Sequence, residues 1–249
     1  MSRAHQFKAL RDQLGTLTAT EPGQGGAPCL RFGIRAVDEA LPAGGLAPGS
    51  HEVCAGGADL PHEAAAVQLV ACLLGRASGL VVWVLPRLTL FPPALAEAGL
   101  SADRVVYAEA GRDADVLAVA EEALRHGGLA GVVCEAGRLS LTASRRLQLA
   151  AEAGGTPALV VRRWRGAAPP TQGTACATRW QVLARPSSCP SGLPRSAWSL
   201  ALTRCRGGRP GGWNVALEET DEPGPPLRLR LVEPLVGGQD GPAGRRQAA

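Results

Sequence analysis

The sequence predicts an α/β protein: a doubly wound, mostly parallel sheet extended by antiparallel strands toward the C-terminus. Three observations carry this expectation. Short apolar runs recur at Glu52–Cys54, Leu80–Leu85, Val105–Ala108, Gly131–Cys134 and Ala158–Val161, the pattern of strands buried on both faces. Segments of helical period lie between them, at Pro61–Ala77, Pro92–Ala98, Asp113–His126 and Leu141–Ala153. Beyond Gly166 the texture changes to alternating apolar and polar residues broken by Pro and Gly, which suits antiparallel strands.

Phe7, Leu10, Leu14 and Leu17 fall at 3-4-3 spacing and predict a short amphipathic helix over residues 5 to 18. Such a stripe either packs on its own domain or docks a neighbouring protein. Thr20 to Pro28 reads as a Gly/Pro linker, so residues 1–28 form an N-terminal extension and 29–220 the core. Within the core the helices stop at Gly75/Gly79, Gly99, Gly127-Gly128 and Gly154-Gly155. Asp113 or Asp115 can cap one helix and Ser140 or Thr142 another. Repeated strand–helix units imply right-handed crossovers. Arg179–Arg185, Ala197–Arg204 and Trp213–Leu217 then read as antiparallel strands, with Trp180, Trp198 and Trp213 as core or hairpin packers. Leu227 to Leu231 alternates Leu and Arg, as an edge strand or a strand offered to a partner would. It falls in a Pro/Gly-rich tail, 221–249, expected to be partly disordered, from Gly237 onward above all.

Composition narrows the function classes. With 249 residues, 45% hydrophobic and 19% charged, the chain matches an ordinary globular protein able to bury a full core. A net charge of +4 permits nucleic-acid contact without demanding it. No apolar run reaches the length of a membrane span, and Met1 to His5 leads into no apolar signal region, so a cytoplasmic protein with no membrane partner is expected. The seven cysteines (29, 54, 72, 134, 176, 189, 205) form no C-x-x-C pair and are read as free thiols. The four histidines are scattered; neither a metal nor another cofactor is expected.

The segment from Ser50 to Ala66 reads as strand, glycine turn, then helix, which is the layout of a phosphate-binding loop. In such a loop a Gly-Lys-Ser/Thr ending places an ammonium on the β/γ-phosphates and a hydroxyl on magnesium. Here the lysine and hydroxyl slots hold Pro61 and His62, followed by the anion Glu63, and Lys8 is the only lysine in the chain. Arginine rather than lysine elsewhere fits GC-rich coding, but a guanidinium does not replace that compact point charge. Gly56 and Gly57 could still form an anion nest, and Pro61 suits a first helical position. Asp59 and Glu63, however, put negative charge where phosphates would sit and satisfy the helix dipole themselves.

Two sets of residues carry a family resemblance. Leu41-Pro42-Ala43-Gly44-Gly45-Leu46-Ala47-Pro48-Gly49, followed by Glu52-Val53, resembles the segment leading into the phosphate loop of RecA-type recombinases. Phe91-Pro92-Pro93-Ala94-Leu95-Ala96-Glu97-Ala98-Gly99-Leu100, Glu121-Glu122-Ala123-Leu124 and Leu141 through Glu152 are similar to the ImuA family, the RecA/SulA-like component of bacterial inducible-mutagenesis cassettes. The resemblance covers most of residues 5 to 217. It implies a RecA-like core and a role in the SOS response to DNA damage. The partners it implies are an ImuB-like polymerase-related protein, an error-prone polymerase and RecA. It supplies no catalytic residue.

A RecA-like enzyme carries its catalytic glutamate near the end of the strand after the loop helix; here that place holds Pro86 and Arg87. Glu135 ends the strand 131–135 where a Walker B carboxylate would stand, and is read either as a residual metal or water contact or as a carboxylate bonded at a strand end. Arg162, Arg163 and Arg165 flank Trp164 at the start of a Gly/Pro-rich loop, a pattern suited to single-stranded DNA. Arg204 and Arg206 beside a glycine turn are usable in the same way. The function expected is a non-catalytic accessory protein of SOS-induced translesion synthesis. Two rivals are an ATP-dependent, DNA-binding recombinase paralogue and a SulA-like inhibitor of cell division.

Overall fold

The structure, a computed structural model, describes Asp12 and residues 29–57, 59–163, 173–186, 196–220 and 227–234. Nine strands form one sheet: β1 (Gly49–Ala55), β2 (Val81–Leu85), β3 (Val105–Glu109), β4 (Gly131–Ala136), β5 (Pro157–Arg162), β6 (Thr178–Arg185), β7 (Ala197–Cys205), β8 (Gly211–Glu219) and β9 (Leu227–Pro234). The helices are α1 (Arg35–Asp38), α2 (Leu60–Gly75), α3 (Pro92–Glu97), α4 (Asp113–His126) and α5 (Leu141–Ala153). Strand order is β3-β2-β4-β5-β1-β6-β7-β8-β9.

The antiparallel extension begins one strand later than the sequence predicts. Segment 178–185 pairs parallel with β1, His51 opposite Thr178, and only its other edge is antiparallel, to β7. Its direction depends on the chain returning from the end of β5 to the opposite end of the strands before residue 178. Ala175 N–H donates to Ser144 Oγ of α5 (2.9 Å) and Cys176 is buried in the core beside that helix, so residues 175–176, just before β6, lie on the α5 face. The Leu/Arg segment is the edge strand β9, antiparallel to β8.

The sheet divides the core into two layers. Residues 30–46, α2 and α3 cover one face with Trp83, Trp180, Trp198 and Trp213; α4 and α5 cover the other with Val82, Val132 and Val160. Phe32 and Trp180 lie 4.7 Å apart between ring centroids, and Trp180 and Trp213 6.0 Å, so the alternating tryptophans do serve the core. Successive strand residues point to opposite faces. Val133 therefore sits with the first layer and Val132 and Cys134 with the second.

Helix ends are mostly self-satisfied. Ser140 Oγ accepts from Ala143 N–H at 3.1 Å and caps α5. The expected acidic cap of α4 is absent: Arg112 is the N-cap and makes no side-chain cap. Asp113 instead accepts from Arg138 N–H (2.7 Å), and Asp115 pairs with Arg112 (3.0 Å). At the far end of α2, Arg104 donates through Nε to Gly79 O (3.0 Å) and through Nη2 to Leu74 O (3.2 Å), clamping carbonyls the helix leaves open.

Candidate functional site

At the end of β1 the turn is already occupied by protein. Gly56 N–H, a donor a phosphate nest would use, bonds Val182 O on β6 at 2.7 Å. A side chain at Gly56 would put its Cβ 2.2 Å from Leu183 Cγ, so the Leu183 side chain, which is exposed, would have to move aside. Asp59 is the N-cap of α2, its Oδ1 3.4 Å from His62 N–H and 2.5 Å from His62 Nδ1. The His62 ring lies over Gly57, where an added Cβ would be 3.2 Å from Cδ2. Pro61 takes the second helical position rather than the first, since the helix starts at Leu60.

Glu63, one turn into α2, faces Arg163 Nη1 at 3.4 Å, and Arg163 Nε reaches Glu135 Oε2 at 2.5 Å. The other Glu135 oxygen accepts from Trp83 Nε1 at 2.8 Å. Strand parity explains the meeting: Glu135 shares the α2 face with Val133, and Arg163 leaves β5 toward that face. Both oxygens of the Walker B-like carboxylate are thus engaged, and a guanidinium stands between the loop helix and that carboxylate. No group of three or more His, Cys, Asp or Glu side chains among the described residues is placed to hold a metal. Arg87 is exposed beyond the end of β2, where the catalytic glutamate would be.

The predicted arginine surface does not assemble. Arg162 is 2% exposed and points to the α5 face, where Nη1 pairs with Glu52 Oε1 at 2.5 Å and Nη2 donates to Gly137 O at 2.9 Å. It cannot touch DNA without unfolding that core. The reason is parity again: Arg162 is the last residue of β5, Arg163 the first beyond it. Arg204 donates to Thr174 O and Arg206 pairs with Glu152 at 3.0 Å. Both lie by the start of β6, across the sheet from Arg163. Trp164, Arg165 and the stripe Phe7, Leu10, Leu14, Leu17 lie outside the described residues.

Sequence reasoning missed the second charged cluster. Glu52 is fully buried and accepts from Arg162, from Arg179 Nε (2.8 Å) and from Thr174 Oγ1 (3.0 Å). The signal was present: an acid in the middle of an apolar strand must find buried cations. Its neighbour His51 is buried and neutral, Nε2 2.8 Å from Ala47 O and Nδ1 2.9 Å from Thr178 Oγ1. Burial, aided by nearby Arg206, holds its pKa down at about 4 against the hydrogen bond to Ala47. Burial pushes the Cys54 and Cys72 thiols up to about 12, which leaves them protonated and unreactive at neutral pH.

No family model matches the chain. Among curated proteins, the proteins named ImuA from two strains of Caulobacter vibrioides, NA1000/CB15N and ATCC 19089, are each 38% identical over 252 aligned positions, covering 94% of this chain and 99% of the relative. The crystal structure of the RadB recombinase covers 80% of this chain and 98% of its own at TM-score 0.53 and 16% identity, which shows the RecA-like fold. That of SulA from Pseudomonas aeruginosa covers 45% of this chain and 96% of its own at TM-score 0.39 and 29% identity. On the strength of the near full-length Caulobacter likeness, the chain belongs to the ImuA family.

Proposed function

We propose that this chain is a non-catalytic, RecA-like accessory protein of SOS-induced translesion DNA synthesis, working in the cytoplasm by docking an ImuB-like, polymerase-related protein. Family membership supports the pathway. One observation carries the non-catalytic half: Arg163 ties Glu63 to Glu135 across the space a magnesium nucleotide would need. Hydrolysis requires a phosphate cradle, a metal ligand and a water-positioning carboxylate together. The cradle donor Gly56 bonds β6, the lysine and hydroxyl slots hold Pro61 and His62, and both oxygens of Glu135 are engaged.

Protein docking is favoured over DNA contact, because Arg162 is buried and Arg163, Arg204 and Arg206 each have protein partners. Among the described strands β9 is the last of the sheet, a place where a partner strand could add. RecA and the error-prone polymerase are further partners that the family reading brings.

The test combines two measurements on the purified chain. Co-expressed ImuB-like protein is expected to co-elute with it in gel filtration, and magnesium ATP to be neither turned over nor retained in equilibrium dialysis. ATP turnover overturns the non-catalytic half, and separate elution overturns the docking half.

A further inference from the structure

A groove of about 330 Å³ opens between α2 and the segment Thr89–Leu95, beside Arg163. Its walls are apolar, and two large side chains on its rim stand in solvent: Leu60 is 80% exposed and Phe91 69%. Leu88, next to the rim segment, is 52% exposed. So much apolar surface around one concavity marks a place that something covers.

We infer that the chain's own N-terminal segment, residues 5 to 18, docks in this groove in cis. Three observations on the chain converge. Phe7, Leu10, Leu14 and Leu17 form a single apolar stripe of the length a groove between two helices accepts. Within the groove Glu63 and Arg163 pair with each other, and the exposed charges on the segments that frame it are Asp59, Glu97 and Glu109 against Arg87. The segment carries the opposite excess, Lys8 and Arg11 against Asp12. Reach is sufficient. The described core resumes at Cys29, near the start of β1, and the groove lies at the strand's other end, about 23 Å away at the rise of a strand. The linker 18–28 spans up to about 37 Å when extended.

The stripe is then a second surface, apart from the β9 edge, that a partner could compete for. A partner that takes up Phe7 and Leu10 uncovers the groove, and one that enters the groove releases the stripe. The cis contact itself exists in the free protein and does not depend on any partner.

A photo-crosslinking residue placed at Leu10 in the full-length protein, at dilution and without partner, tests this directly. Intrachain cross-links to peptides covering 60–68 or 88–95 are expected, with yield reduced at least severalfold by the double variant Leu60→Glu/Phe91→Glu and by Lys8→Glu/Arg11→Glu. Cross-links only between chains, links elsewhere on the core, or a yield the groove variant leaves unchanged each overturn the assignment. Because the groove residues are exposed, the variant is expected to fold, and an unchanged urea midpoint verifies it. Co-elution with the ImuB-like protein is read separately, so either idea can fail alone.

Discussion

Arg162 and Arg163 are consecutive residues with opposite fates. Arg162, its side chain 1% exposed, meets Glu52 under the α5 layer; Arg163, 32% exposed, meets Glu63 and Glu135 under the α2 layer. The sheet lies between them. The first cluster is dry, with one carboxylate shared by Arg162, Arg179 and Thr174. The second reaches solvent and stands where a RecA-like enzyme handles nucleotide. Both replace a ligand-binding possibility with internal ion pairs, but only the dry one is deep enough for the fold to depend on it. A buried pair that loses one partner leaves an uncompensated charge, whereas a half-exposed one lets water take over.

The largest effect is therefore expected at Glu52. Glu52→Gln leaves two arginines facing a neutral amide and should cost about 3–5 kcal/mol, read as a lowered urea midpoint with unchanged slope. Glu135→Gln keeps the Trp83 bond and frees Arg163 toward water, for a loss of about 1–2 kcal/mol. Equal losses at the two sites would break the comparison.

His51 sharpens it by showing a buried titratable group that stays neutral instead of pairing. Its folded pKa of about 4 lies below the unfolded value of about 6.5, so the unfolded chain binds a proton first. Its effect is absent above about pH 6.5. As pH falls through the window from 6.5 to 4, stability declines, levelling off at a loss of about 3 kcal/mol. Urea melts across pH 7 to 4 should show that slope in the wild type and a flatter one in His51→Gln. Equal slopes would mean the ring is protonated in the fold.

Arg163→Gln comes next, at about 2–3 kcal/mol: the guanidinium is 32% exposed, but its loss leaves the Glu135 carboxylate, 1% exposed, with Trp83 Nε1 in place of a cation. A loss as large as that of Glu52→Gln would place this cluster among the buried ones.

Much of the architecture was legible because burial on both faces and helical period leave separate marks. Asp113–His126 and Leu141–Ala153 match in both bounds. The direction of β6 was not, since no helix marks the return from β5 and alternation alone carries no polarity. In the candidate site, the missing lysine, Glu63 and Glu135 could be read by position. That Arg163 would join the two acids could not, because it depends on which side of the sheet each of two adjacent arginines leaves the strand. Glu52 was legible in kind, as an acid in an apolar run, but its partners Arg179 and Thr174 lie more than a hundred residues away.

The smallest expected effect is the most informative about catalysis. In the double variant Pro61→Lys/His62→Thr the phosphate-loop slots regain their ammonium and hydroxyl, yet turnover of magnesium ATP is expected to stay at background in a phosphate-release assay. Three obstacles remain in place: Gly56 N–H still bonds Val182 O, Glu135 still holds Arg163, and Arg87 stands where the catalytic carboxylate belongs. Glu63 also keeps its charge beside the restored loop, paired with Arg163 where phosphates would sit. Measurable turnover would show that these substitutions alone had silenced the site, and that the exposed cluster is a recent plug in a machine otherwise intact.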